Sequence, residues 1–168
     1  MSSTLASPSL SVTTAPPSTL EVGVILLPVF DGDPMSDLLR DADEAAAGAI
    51  GRAMASREIQ GRLYDFFITP VVRGWKAGRI GIVGGGSRAD CGTERLRRLA
   101  TAAALQARQR RSAAIAWLNT TDLDVAAATQ SAAEGLMLAA FSGDAYKSGE
   151  RSAPPPERFI LAVSASDG

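Results

Sequence analysis

The residues best placed for chemistry are Gly84, Gly85, Gly86, Ser87 and Arg88, a glycine run that follows an apolar segment and precedes a helical one. Backbone amides in such a turn can cradle a phosphate, and an arginine can pair with it. The run therefore reads as a possible site for a nucleotide or an ADP-ribose-like ligand. No Gly-Lys-Ser/Thr follows, and at least six residues separate Gly86 from the helix start at Thr93. A plain flexible turn is the preferred reading. A second group is the arginines. Arg88, Arg95, Arg97, Arg98, Arg108, Arg110 and Arg111 fall in one short stretch offset only by Asp90 and Glu94. Such a basic face can contact nucleic-acid phosphates or an acidic partner. With no aromatic residue interleaved for base stacking, a solvated arginine face is the favoured reading.

Other chemistry is thin. The chain has no histidine, which removes the Ser-His and Cys-His nucleophiles, imidazole metal ligands and the usual general base near neutral pH. Asp31, Asp33, Asp37, Asp41, Asp43 and Glu44 cluster where paired carboxylates could hold Mg or Ca, yet their spacing fits no EF-hand loop. Turn formation and helix-start electrostatics explain them. The single cysteine, Cys91, excludes an internal disulfide and favours a reducing compartment. Arg88 and Arg95 stand near enough in sequence to favour its thiolate, but without a base it reads as a bystander. No catalytic residue, metal site or cofactor is expected.

These residues need a scaffold, and 168 residues fit one domain with a single core. Apolar residues form 46% of the chain but aromatics only 5%, so closely packed alanine-rich helices are expected. Lys plus Arg, at 17, nearly balance Asp plus Glu, at 18, leaving no strong overall field. The longest apolar run, Val22 to Phe30, is broken by Gly23 and Pro28 and falls far short of the ~20 residues that span a bilayer. No basic residue precedes Glu21, so signals for export or mitochondrial import are missing and a cytoplasmic location is expected.

Residues 1–20 contain six Ser, four Thr and three Pro and read as a disordered leader. Residues 21–168 read as one α/β domain, with a loop at 147–157 around Pro154, Pro155 and Pro156. Five strands are expected: Val22 to Leu27, Tyr64 to Thr69, Arg79 to Val83, Ala113 to Leu118 and Arg158 to Val163. The first helix starts after Ser36 as N-cap, with a stripe from Leu38 through Leu39, Ala42, Ala45, Ala46, Ala49 and Ile50 to Ala53. The second is capped by Thr93 and places Leu96, Leu99, Ala100, Ala103 and Ala107 on one face. The third starts near Thr121 or Asp122 and carries Val125, Ala128, Ala132, Leu136 and Ala140, with Met137 beside them. The Gly-rich link between the second and third strands is too short for a helical crossover, which predicts an antiparallel pair and a mixed sheet with helices on both faces.

The run Ala133, Glu134, Gly135, Leu136, Leu138, Phe141, Asp144, Tyr146 and Lys147 resembles the closing helix of the N-terminal domain of the leucyl (cytosol) aminopeptidase family. Arg79 to Gly86 and the helix from Thr93 to Arg110 resemble the preceding pieces of that domain, in the same order. Phe141 and Gly143 depart from the aromatic pair usual there. The family's catalytic domain holds two divalent metals around an Asn-Thr-Asp-Ala-Glu-Gly-Arg signature. Asn119, Thr120, Thr121 and Asp122 echo only its first half, and a strand end with a helix cap explains them better. The resemblance implies a three-layer, macro-domain-like α/β fold standing free of the metallopeptidase domain. It also implies a non-catalytic assembly or regulatory role, by self-association or with a full-length aminopeptidase. The alternatives are a small-ligand module at Gly84 to Arg88 and a nucleic-acid contact through the arginine-rich helix. No membrane partner is expected.

Overall fold

The computed structural model describes residues 6–141 and 153–164. Six strands form one sheet in the order β1-β6-β5-β2-β4-β3. They are β1 (Ser9–Thr13), β2 (Val24–Val29), β3 (Phe66–Pro70), β4 (Arg79–Gly84), β5 (Ala114–Leu118) and β6 (Arg158–Ala162). All neighbours are parallel except β3, which runs antiparallel to β4 at one edge. The mixed sheet and the antiparallel pair are those expected from the short Gly-rich link.

Strands β2 and β5 are buried along their whole length, as strands covered by helices on both faces must be. Alternation sends Val24 and Leu26 of β2, Ile115 and Trp117 of β5, and Phe159 and Leu161 of β6 to one face. There they meet α3 (Thr93–Arg108) and α4 (Val125–Ala140) through Leu96, Leu99, Ala103, Ala132 and Leu136. Ile25, Leu27, Ile80, Ile82 and Ala116 point to the opposite face, against α1 (Asp37–Ala45) and α2 (Ala49–Ala55). The result is three layers, helix on sheet on helix.

Alanine content decides how close the helices come. Gly135 of α4 lies against the backbone of α3, where an added Cβ would stand 2.2 Å from the Arg97 carbonyl oxygen. The Thr101 hydroxyl donates to the Gly135 carbonyl at 2.9 Å across the same contact. The glycine of the Ala-Glu-Gly run is therefore a packing residue.

Four expectations need correction. The leader is not disordered over residues 6–20: Ser9–Thr13 forms β1, parallel to β6 from Ser9↔Arg158 to Thr13↔Ala162, and Pro17–Thr19 forms a 3-10 turn. Backbone bonds to β6 and the burial of Leu20 and Val22 supply what local composition lacks. The first helix is two, separated at Ala46 to Gly48. Helix α3 starts after Gly92, with Thr93 as its first residue and no side-chain cap. Helix α4 is capped by Asp124, whose carboxylate accepts from the Ala127 amide at 3.1 Å, and not by Thr121 or Asp122. Of the loop expected at 147–157, residues 153–156 are irregular and Glu157 lies in a bend leading into β6; residues 147–152 lie outside the described residues, as do Gly143, Asp144 and Tyr146.

Candidate functional site

In an open sheet of parallel strands, crevices form at the carboxyl ends where neighbouring strands send their connections to opposite faces. Strands β2 and β5 meet this description, since β2 leads to α1 on one face and β5 to α4 on the other. Their pairing stops at Leu26↔Trp117, although β2 continues beside β4 to Val29↔Gly84. Pro28 has no amide to donate toward β5, and its carbonyl instead accepts from the Thr120 hydroxyl at 2.9 Å. The strands part there. A cleft of about 260 Å³ lies beside this point, lined by Leu27, Phe30, Leu38, Leu39 and Met54, with Asp33, Gln60, Arg88 and Thr120 as polar members.

Arg88 straps the cleft's rim. It lies in a short 3-10 turn after β4, and its guanidinium reaches the connections that follow both other strands. Nε and Nη2 donate to the two oxygens of Asp33 at 3.3 and 2.5 Å, and Nη1 donates to the Thr120 carbonyl at 2.8 Å. Asp122 lies 3.5 Å from Nη1, and the Phe30 ring centroid is 4.3 Å from the guanidinium carbon. The Asp33 hydrogen bond holds the guanidinium's pKa above its ordinary value, against a smaller opposing effect of burial. With both side chains about one-third exposed, the pair contributes on the order of 1 kcal/mol or less. Its main effect is geometric, tying three loops together.

The glycine run does not form the phosphate cradle. The amides of Gly84, Gly85 and Gly86 donate to the carbonyls of Asp65, Val29 and Gly61 at 2.7, 2.8 and 2.9 Å. All three glycines are buried. A Cβ on Gly85 would stand 2.5 Å from the Phe30 ring, and one on Gly84 would stand 1.9 Å from the Arg62 carbonyl oxygen. These glycines admit neighbouring backbone and an aromatic ring. What they leave is an apolar cleft with one charge-paired arginine at its edge, a shape for a small apolar group more than for an anion. Ser87 is exposed beside it.

Nor do the arginines form one face. Arg97 pairs with Glu94 and, at 3.6 Å, with Glu134, while Arg98 pairs with Glu94 at 2.9 Å. Arg95, half-buried, is near the thiol of Cys91. Arg108, only 6% exposed, points inward: Nε donates to the Ala153 carbonyl at 2.6 Å and Nη1 to the Ala139 carbonyl at 3.2 Å. It satisfies carbonyls at the end of α4, which the helix itself cannot satisfy. Arg110 and Arg111 lie past the far end of α3, beside Lys76 and Arg79 at the amino ends of the strands. Helical winding and a 16-residue helix length separate residues that are close in sequence.

The acidic cluster also disperses. Asp33 binds Arg88, Asp37 pairs with Arg40 at 2.9 Å, and Asp43 accepts from the Gly51 amide at 2.8 Å. Among the described residues no three His, Cys, Asp or Glu side chains converge as a metal ion would require. Burial pushes the Cys91 thiol pKa up despite the opposing pull of Arg95 and Arg88, so the favoured thiolate is not found. Sequence reasoning named Asp33 and Thr120 in other groups and Phe30 only as the end of an apolar run, and missed that all three meet at Arg88. Pro28 in a buried strand was the available signal for a gap beside it.

Comparison with known proteins agrees with this architecture. The family model described as "Cytosol aminopeptidase family, N-terminal domain" matches residues 26–150. The probable cytosol aminopeptidase of Azotobacter vinelandii is 27% identical over 156 residues, covering 90% of this chain and 32% of that protein. The probable cytosol aminopeptidase of Geobacter sp. (strain M21) is 30% identical over 144 residues, covering 79% of this chain and 29% of that one. The chain thus spans about a third of the length of these relatives. A mutant of tomato leucine aminopeptidase superposes with a TM-score of 0.78 at 19% identity, over 99% of this chain and 35% of that one. The macrodomain of Mycobacterium tuberculosis DarG superposes with a TM-score of 0.65 at 11% identity, over 94% and 99% of the two chains. At such identities the two structures speak for the fold alone, an aminopeptidase N-terminal domain of macro-like form. No helix among the described residues is long and apolar enough to cross a membrane. With three-quarters of its length inside that family match, the chain belongs to the cytosol aminopeptidase family, through that family's N-terminal domain.

Proposed function

We propose that this chain acts as a non-catalytic assembly or regulatory domain of the cytosol aminopeptidase family, associating with a second copy of itself or with a full-length family member. One observation carries the reading: the similarity is to the N-terminal domain and spans only about a third of the relatives. The architecture is in keeping with it. The arginines that could have formed a nucleic-acid face are paired, buried or far apart, and the glycine amides that could have held a phosphate are bonded internally. What the domain offers a partner is a three-layer body with an exposed sheet edge.

Sedimentation velocity tests the reading. The purified chain is run over a range of concentrations alone, and again with a full-length cytosol aminopeptidase. A species heavier than the monomer is expected in at least one arm. Strict monomer behaviour in both would refute the assembly role.

A further inference from the structure

We propose that two copies of this chain join edge to edge through β1, antiparallel about a two-fold axis at Ser11, so that their sheets become continuous. The inference deepens the assembly reading and rests on it, by naming the surface and the partner.

Strand β1 lies at the end of the sheet, and among the described residues only β6 pairs with it. The Ser9 amide donates to the Glu157 carbonyl at 2.9 Å, and the Thr13 carbonyl accepts from the Val163 amide at 3.0 Å. Backbone groups alternate along a strand, so Ser9, Ser11 and Thr13 turn theirs to β6 while Leu10 and Val12 turn theirs outward. In an antiparallel pair, residues that face each other through hydrogen bonds exchange both N–H and C=O groups. A two-fold axis at Ser11 sets Leu10 opposite Val12 of the second copy, and Val12 opposite its Leu10. Those are the two residues with outward groups, so the register that symmetry imposes is also the one the free backbone can satisfy.

The side chains match in the same register. Leu10 is 42% and Val12 55% exposed. Their register partners in β6, Phe159 and Leu161, belong to the core beneath α3 and α4, which places Leu10 and Val12 on that face of the sheet. Opposite residues of an antiparallel pair share a face. The four side chains of two copies would therefore form one apolar cluster continuing the core. Ser-Leu-Ser-Val-Thr reads polar, apolar, polar, apolar, polar in either direction, as self-pairing requires.

Charge points the same way. Soluble proteins usually guard an edge strand with lysine, proline or a bulge. Strand β1 has none of these, and no charged side chain occurs in residues 1–20. Two copies meet here without like-charge repulsion, and the only segment so free of charge is the one that supplies the edge.

The test is sedimentation velocity of the full chain as wild type, Val12→Pro, Val12→Thr and Leu10→Lys, with circular dichroism as a check on folding. Proline at position 12 removes an outward N–H and leaves the β6 ladder intact. Each dimer would lose two hydrogen bonds, and the expected weakening of dimerisation is roughly tenfold or more. Val12→Thr keeps the strand's shape and backbone donor and should remain dimeric. Leu10→Lys places one charge from each copy in the seam and should be monomeric, which decides the matter if the proline variant fails to fold. Undiminished dimerisation in a folded Val12→Pro or in Leu10→Lys would overturn β1 pairing. So would a wild type that is monomeric alone yet binds a full-length relative, an outcome that leaves the assembly reading standing.

Discussion

Arg108 shows how burial reassigns a residue that reads as surface charge. It occupies a helical position whose side chain faces α4, and there the guanidinium closes the end of that helix and holds Ala153 on the approach to β6. Arg108→Ala would leave these carbonyls without their donor, at a cost of about 2–3 kcal/mol. Arg110→Ala, two residues on and exposed, should change stability by no more than about 0.5 kcal/mol. Denaturant melts of the two variants measure the difference, and equal losses would contradict the assignment. Cys91 gives a second residue-scale prediction. Burial raises its thiol pKa above the ordinary value, so in alkali the unfolded chain releases a proton that the folded chain keeps. Its contribution to stability is complete below the ordinary thiol pKa of about 8.5 and is lost as pH rises from there through the folded value. Denaturant midpoints measured from about pH 7 to 10 should therefore fall less steeply for Cys91→Ala than for wild type.

Among the elements, the break between α1 and α2 has a definite backbone cause. The Gly48 amide donates to the Asp43 carbonyl at 2.8 Å and the Ala47 amide to the Glu44 carbonyl at 3.0 Å, the paired closure of a Schellman motif. Ala47 and Gly48 have φ of 52° and 80°, and the Asp43 carboxylate then binds the Gly51 amide in the first turn of α2. Ala47→Gly should stabilise the fold by up to about 1 kcal/mol, because glycine takes positive φ without the Cβ penalty. In an unbroken helix the same change would cost about as much, so the sign of the shift in a thermal melt separates the two geometries. This element also marks where the sequence could be read and where it could not. Apolar periodicity located five strands and the helical segments because burial imposes it directly. The stripe ran straight across Ala46 to Gly48 because alanines at helical spacing pack equally well on both sides of a break. Strand β1 escaped notice because its five-residue alternation is short and lies in a Ser-, Thr- and Pro-rich stretch, and its hydrogen bonds come from β6, far along the chain. In the cleft Arg88 was visible, but Asp33 and Thr120 join it only through the sheet order.

At the scale of the whole molecule, side chains that might have done chemistry are largely spent on holding loops and helix ends. Arg88 ties three connections, Arg108 closes α4, Asp43 and Asp124 cap helices, and the three consecutive glycines admit backbone and the Phe30 ring. Its family relatives are about three times its length. The proposed role is to assist an aminopeptidase without being one. Its most direct test is to incubate the purified chain at high concentration with a leucyl substrate and added Mn or Zn, and to measure released leucine. The account predicts no release above the metal-only control, and metal-dependent turnover that follows the concentration of this chain would contradict it.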